Sequence, residues 1–308
     1  MKKIAFLFSG QGAQYTGMGK SLTEVSKAAA GVFEKADAQR PGTGEQCFTG
    51  SKDVLNQTLN TQPCVYAVDL AAARALQENG FEPACVAGFS LGEIAALTFA
   101  GVWDETTGFD FVCHRAQYMS DATALTGGSM AAILKLSNEK VNELAEKYDK
   151  VFPVNYNCPG QVSCAGDKEQ LDAFCKDCKE AGARAVPLAV SGAFHSPFMD
   201  TAAEKLKKHL EETPVKAAAT PIYANKTAAL YPDDEAGIRQ NIADQVNHPV
   251  RWQETLETMW NDGVTVFVEC GPGKTLAGLV KKTLPEAVVC RVEDADTLNE
   301  TLTTLRAL

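Results

Sequence analysis

The apolar positions along this chain change their period several times, and the changes divide it into elements. IAFLFSG, residues 4–10, is a continuous apolar run closed by glycine, as a strand buried on both faces would be. QPCVYAVDLAAARALQENG, 62–80, carries helical spacing and stops at Gly80, predicting an amphipathic helix. PACVAGFS predicts a second strand and LGEIAALTFAG a helix closed by Gly101. Strand and helix in alternation imply a parallel sheet covered by helices. The order changes at Gly128. SMAAILKL, a helical NEKVNELAEKY, VFPVNYN, QVSCAG, a helix DKEQLDAFCKDCKEAG and ARAVPLAV run βαββαβ, the ferredoxin-like order. Then the first pattern resumes with a helix MDTAAEKLKKHLEE, a strand PIYANKT, a helix WQETLETMWNDG and a strand VTVFVECGPG. The layout expected is an α/β domain of residues 1–127 and 192–308, interrupted by a small α+β domain of 128–191. The cleft between them is the default place for a site.

Composition narrows the function classes. With 45% hydrophobic and 22% charged residues the chain is an ordinary globular protein, and its net charge of −10 repels nucleic acid and anionic membrane. The opening MKKIAFLFSG is too short for a signal-peptide core and reads as a first strand. No apolar stretch reaches transmembrane length, so a cytoplasmic protein is expected. Ten cysteines fall mostly in apolar contexts and read as small core residues. The one CxxC, Cys175 to Cys178, lies within a predicted helix without a second pair or a nearby histidine, so no metal site is expected.

Two glycine-rich readings fail on spacing. A Walker A loop ending in Gly19-Lys20-Ser21 would need glycine where Gln14 stands, and a dinucleotide fingerprint from Gly10 and Gly12 would need glycine where Tyr15 stands. Gly88-Phe89-Ser90-Leu91-Gly92 passes a stricter test. It is a GxSxG at a strand-to-helix junction, the context of a nucleophile elbow in an α/β-hydrolase-like domain. The Leu91 N–H at the helix start could stabilise an oxyanion. Against this, Ser90 and Glu93 also spell an S-x-x-E capping box. A serine nucleophile needs a base, and four histidines are available. His209 lies in the charged KLKKHLEE, His248 precedes a proline, and His114 adjoins the Arg115 cation, which would lower its basicity. His195, in the small apolar loop GAFHSPFM at the expected cleft, is the best base. Glu93 and Glu269 are candidates for a third member, neither at a diagnostic spacing. Arg115, among Phe109, Phe111, Val112 and Met119, is either snorkelling or buried with an anion, for which its fork suits a carboxylate.

GQGAQYTGMG at 10–19, GFSLGE at 88–93, RAQYM at 115–119, GAFHSPFM at 192–199, NHPVRW at 247–252 and GPGKTL at 271–276 occur in that order over nearly the whole chain. Together they resemble the malonyl-CoA:acyl-carrier-protein transacylases of fatty acid synthesis and the acyltransferase domains of polyketide synthases. The resemblance implies Ser90 as acylated nucleophile, His195 as its base, and the Gln245 carbonyl as the third group in place of an aspartate. It implies that Arg115 binds the malonyl carboxylate and that the N–H groups of Gln11 and Leu91 form the oxyanion hole. Met119, Met130 and Phe194 would line the acyl pocket. No cofactor is implied, CoA thioester being the substrate, and the partners implied are malonyl-CoA and acyl carrier protein, with a monomer expected. Arg184, Lys274, Lys281 and Lys282 are candidates for docking the acidic carrier. Where the family usually has histidine before the nucleophile, this chain has Phe89, which bears on how the elbow packs. The rivals are an α/β-hydrolase-type thioesterase or esterase, which would place a histidine near the C-terminus where none follows His248, and a non-catalytic scaffold.

Overall fold

The computed structural model describes residues 2–190 and 192–308, so Ser191, the last residue of the expected insert, lies outside the described residues. The first stretch contains β1 (Lys3–Phe8), α1 (Lys20–Val25), α2 (Lys27–Gln39), α3 (Thr43–Thr49), α4 (Lys52–Leu55) and α5 (Thr58–Glu78). After them come β2 (Cys85–Gly88), α6 (Leu91–Phe99) and α7 (Glu105–Thr126). The middle is β3 (Ser129–Leu134), α8 (Asn138–Ala145), β4 (Val151–Cys158), β5 (Gln161–Gly166), α9 (Lys168–Glu180) and β6 (Arg184–Pro187). The remainder is α10 (Asp200–Glu212), β7 (Ile222–Tyr223), α11 (Glu235–Asp244), α12 (Trp252–Asn261), β8 (Val264–Cys270), α13 (Thr275–Thr283), β9 (Val288–Val292) and α14 (Ala295–Arg306).

Five strands form a wholly parallel sheet in the order β7-β2-β1-β8-β9. The two-residue period of a strand sorts its side chains. Phe6 and Phe8 join one core with α5 and α6, while Ala5 and Leu7 join a second with Trp252, Leu256 and Leu276 from α12 and α13. Register then matters for function. Phe8 pairs with both Gly88 and Cys270, so β1, β2 and β8 end level. Their exit loops, Ser9–Gln11, Phe89–Ser90 and Gly271–Lys274, leave the same sheet edge, where ligands of parallel sheets bind.

Two expectations are corrected here. The PIYANKT strand shrinks to Ile222–Tyr223, because the chain bends after Tyr223, which bridges back to Leu230, and delivers Asn225 beneath the elbow. The 62–80 helix begins earlier, at Thr58, and is buried nearly all round rather than on one stripe, being packed by α2, α6 and α7 on different sides.

The second sheet is antiparallel, in the order β4-β5-β3-β6. Ile133, Val162 and Cys164 face α8 and α9 in a core of their own, while Met130 and Ala165 on the opposite face join the large core. Val250 N–H donates to the Val154 carbonyl at 2.7 Å and its carbonyl accepts from Tyr156 N–H at 3.0 Å, tying β4 to the segment that leads into α12.

Candidate active site

At the end of β2 the chain must reverse into α6 within two residues. Ser90 takes φ 54° and ψ −109°, a region that non-glycine residues rarely occupy. The flanking glycines make this possible. A Cβ on Gly88 would come within 2.0 Å of the Gly92 backbone, and one on Gly92 within 2.1 Å of the Phe8 carbonyl oxygen. Asn225 then pins the turn: its Oδ1 accepts from Ser90 N–H at 2.7 Å and its Nδ2 donates to the Gly88 carbonyl at 2.6 Å. Glu93 accepts from Asn225 N–H at 2.6 Å and from the Tyr231 hydroxyl. Burial pushes the Glu93 carboxyl up to about 7, against these hydrogen bonds. The capping-box reading is therefore wrong on both sides: the Ser90 side chain makes no cap bond and Glu93 supports Asn225 instead. Phe89 packs its ring edge-on to Trp252, with centroids 5.4 Å apart, at the margin of the cleft.

Ser90 Oγ lies 2.7 Å from His195 Nε2. The other ring nitrogen, Nδ1, stands 2.9 Å from the Gln245 carbonyl and 3.2 Å from the His248 carbonyl, and His195 N–H donates to the Val246 carbonyl at 2.9 Å. Two carbonyls can only accept, so Nδ1 carries the proton and Nε2 offers its lone pair to the serine. Burial, with the nearby Arg115 cation, lowers the His195 pKa to about 4, so the imidazole is neutral at neutral pH. Neither Glu93 nor Glu269 is the third member. Glu269 accepts from the N–H groups of Leu276 and Ala277 at 3.0 and 2.8 Å, capping α13.

Arg115 is 1% exposed and snorkels nowhere. Its guanidinium donates to Gln62 Oε1 at 2.7 Å, Gln245 Oε1 at 2.8 Å and Ser90 Oγ at 3.3 Å, with no carboxylate in contact. Burial lowers its pKa to about 10, and it remains a cation. The hydrogen bonds are to two neutral amides and a hydroxyl, and buried Glu93 acts on the cation only from beyond ion-pair distance, so an anion entering beside Ser90 would complete a direct pair. Ser90, Arg115, His195, Gln11, Met119, Met130 and Phe194 share one cavity of about 100 Å³, closed further by Phe89, Asn155, Leu188 and Val190. It adjoins a space of about 230 Å³ along the cleft through Gln11, Phe89, Asn155 and Leu188. Among the described residues neither the Gln11 nor the Leu91 N–H has a backbone acceptor, and Leu91 opens α6 where such N–H groups are free.

The candidates from sequence thus converge, apart from His114 and His209, which lie elsewhere, and the two glutamates, which adjoin the site in supporting positions without touching His195. Sequence reasoning missed Asn225 and Gln62. They reach Ser90 and Arg115 across 135 and 53 residues of chain, and no spacing signal announces either. It also missed the His248 carbonyl, although NHPVRW had been singled out as a motif.

A family model described as acyl transferase domain matches residues 5–302. The chain is 38% identical to the malonyl CoA-acyl carrier protein transacylase of Bacillus subtilis over 99% of its length and 98% of that protein. The transacylase of the same description from Clostridium perfringens superposes with a TM-score of 0.95 at 36% identity, covering 99% of this chain and 98% of that one. A malonyl-transacylase solved in complex with a type II PKS acyl-carrier protein superposes with a TM-score of 0.94 at 34% identity, covering 98% and 99%. A serine elbow on a parallel sheet, with an imidazole at its hydroxyl, is the architecture of enzymes that form an acyl-serine, transferases and hydrolases alike. The chain belongs, within it, to the family of malonyl CoA-acyl carrier protein transacylases.

Proposed function

We propose that this enzyme moves the malonyl group from malonyl-CoA to the phosphopantetheine thiol of an acyl carrier protein, through an acyl-enzyme on Ser90. The carrying observation is one pocket in which Ser90 Oγ meets His195 Nε2 at 2.7 Å and the Arg115 guanidinium at 3.3 Å. Arg115 receives the free carboxylate of malonyl and so presents the thioester carbonyl to Ser90. His195 takes the hydroxyl proton as Oγ attacks, and the charge on the carbonyl oxygen falls to the N–H groups of Gln11 and Leu91. When the C–S bond breaks, His195 returns the proton to the departing CoA sulfur. The carrier thiol then enters, gives its proton to His195 and attacks the serine ester, and the steps run in reverse. Two thioesters and one oxygen ester are exchanged, with no oxidant and no net hydrolysis, so no cofactor is required. The Gln245 carbonyl holds the imidazole tautomer, aided by that of His248.

Met119, Met130 and Phe194 line the acyl end of the pocket. For the carrier, Lys282 Nζ reaches Gln161 Oε1 at 3.4 Å, at the rim of the larger space, and Arg184 lies in the same row of the second sheet, each being level with Leu134. Lys274 and Lys281 are exposed nearby on α13 and its approach. Lys274 and Lys281 line a separate hollow against β9 and α14, and these exposed cations on and beside α13 support docking of an acidic carrier on a chain whose net charge is −10. We further infer that residues 128–191 are a ferredoxin-like insert, supported by the β4-β5-β3-β6 order, in an α/β-hydrolase-like domain. Mass spectrometry of the intact protein mixed with malonyl-CoA tests the reading. One malonyl group should persist on the wild type, be absent from Ser90→Ala, and discharge onto a carrier thiol. Free malonate without thiol transfer would instead establish a thioesterase, and no adduct at all a scaffold.

A further inference from the structure

Away from the cleft, three side chains that the reaction does not use converge on one point. Asp110 and His114 stand a turn apart on α7, and His209 reaches them from α10. One Asp110 carboxylate oxygen lies 3.3 Å from His114 Nδ1 and 3.8 Å from His209 Nε2. One donor atom from each residue lies within 4.8 Å of the other two, and the imidazole rings are 4.4 Å apart. A tetrahedral ion with bonds of about 2.0–2.1 Å holds its donors roughly 3.3 Å apart. The separations therefore need only small side-chain rotations to close on a shared ion.

We propose that Asp110, His114 and His209 bind one transition-metal ion of the zinc class. The donor chemistry selects the ion: two imidazoles and one carboxylate suit zinc, nickel or copper, whereas magnesium and calcium want oxygen alone. His114 Nδ1 also lies 3.0 Å from the Asp110 main-chain carbonyl, a hydrogen bond that ligation through Nδ1 would exchange for a metal bond. The site opens on a surface hollow of about 420 Å³, which leaves room for water to complete the coordination. The ion clamps α7 to α10. The residue after His114 is Arg115, turned inward, and α10 follows the His195 loop, so the clamp joins the helix that carries Arg115 to the helix that begins after His195. No spacing rule finds it in the sequence, because 95 residues separate the two histidines.

The test is zinc titration of the full chain by calorimetry, with a non-thiol reductant, alongside His114→Ala/His209→Ala. One ion per chain is expected for the wild type, with loss of that uptake in the double variant, whose fold is checked by circular dichroism. At zinc about one hundred times Kd the wild-type Tm should rise by about 5 °C, and magnesium should leave it unchanged. X-ray absorption of the zinc-loaded wild type should count two imidazoles, and it decides the matter if the variant fails to fold. No uptake at submillimolar zinc, equal uptake by the folded variant, or sulfur in the coordination shell would overturn the proposal.

Discussion

Replacing Arg115 with alanine separates substrate selection from acyl transfer. The guanidinium is buried, charged and held by Gln62 and Gln245, with no carboxylate among the described residues in contact. Malonyl supplies that carboxylate; acetyl does not. Removing one partner from a buried hydrogen-bonded ion pair costs about 3–5 kcal/mol. At about 1.4 kcal/mol per decade, malonyl kcat/KM should fall by about 10²- to 10⁴-fold. The acetyl reaction meets an unpaired buried cation in the wild type, so it loses nothing of that kind and should stay within about tenfold or improve. The rest of the machinery survives the change: His195 is held by the main-chain carbonyls of Gln245 and His248, and Gln245 Nε2 reaches the Ser90 carbonyl at 2.6 Å independently of Arg115. The assay is stopped-flow acylation of Ser90 by each CoA ester, compared as a ratio. Equal losses for both would mean that Arg115 supports the elbow rather than reads the carboxylate.

Four further outcomes follow from the geometry. With His195 lowered to about 4, the acid limb of kcat/KM for acetyl-CoA should lie near pH 4, and removing the Arg115 cation should move it upward; a wild-type limb near 6.5 would refute the burial argument. The same depression makes folding lose the His195 contribution as pH falls from about 6.5 toward 4, since the unfolded chain takes up the proton first. Gly92→Ala would force a methyl against the Phe8 carbonyl, and should cost at least about 3 kcal/mol in urea unfolding, where wild-type stability would contradict the close approach. Reversing the charges of Lys281 and Lys282 should raise the carrier-protein KM about tenfold and leave that of malonyl-CoA unchanged, and an unaltered carrier KM would remove them from the docking surface.

Local chemistry was legible along the chain. The apolar runs place β1, β2 and β8, the change to βαββαβ marks the second sheet, and the two glycines around Ser90 announce a turn that side chains would block. These features depend on neighbours within a few residues, whose spacing alone carries the information. The motif order also pointed to His195 and Arg115 before any coordinate. What the chain could not reveal is who supports whom. Glu93 looked like a cap or a triad acid and proved to anchor Asn225; the 62–80 helix looked half exposed and proved to be central; PIYANKT looked like a full strand and is cut short to bring Asn225 under the elbow. Each outcome is set by partners more than a hundred residues away or by packing on every side, and such contacts leave no period in the sequence. The hydroxyl and its glycines are thus a property of the sequence itself. The neutral imidazole, the caged guanidinium and the Asp110–His114–His209 cluster exist only because folding brings distant polar groups together and takes most of their water away.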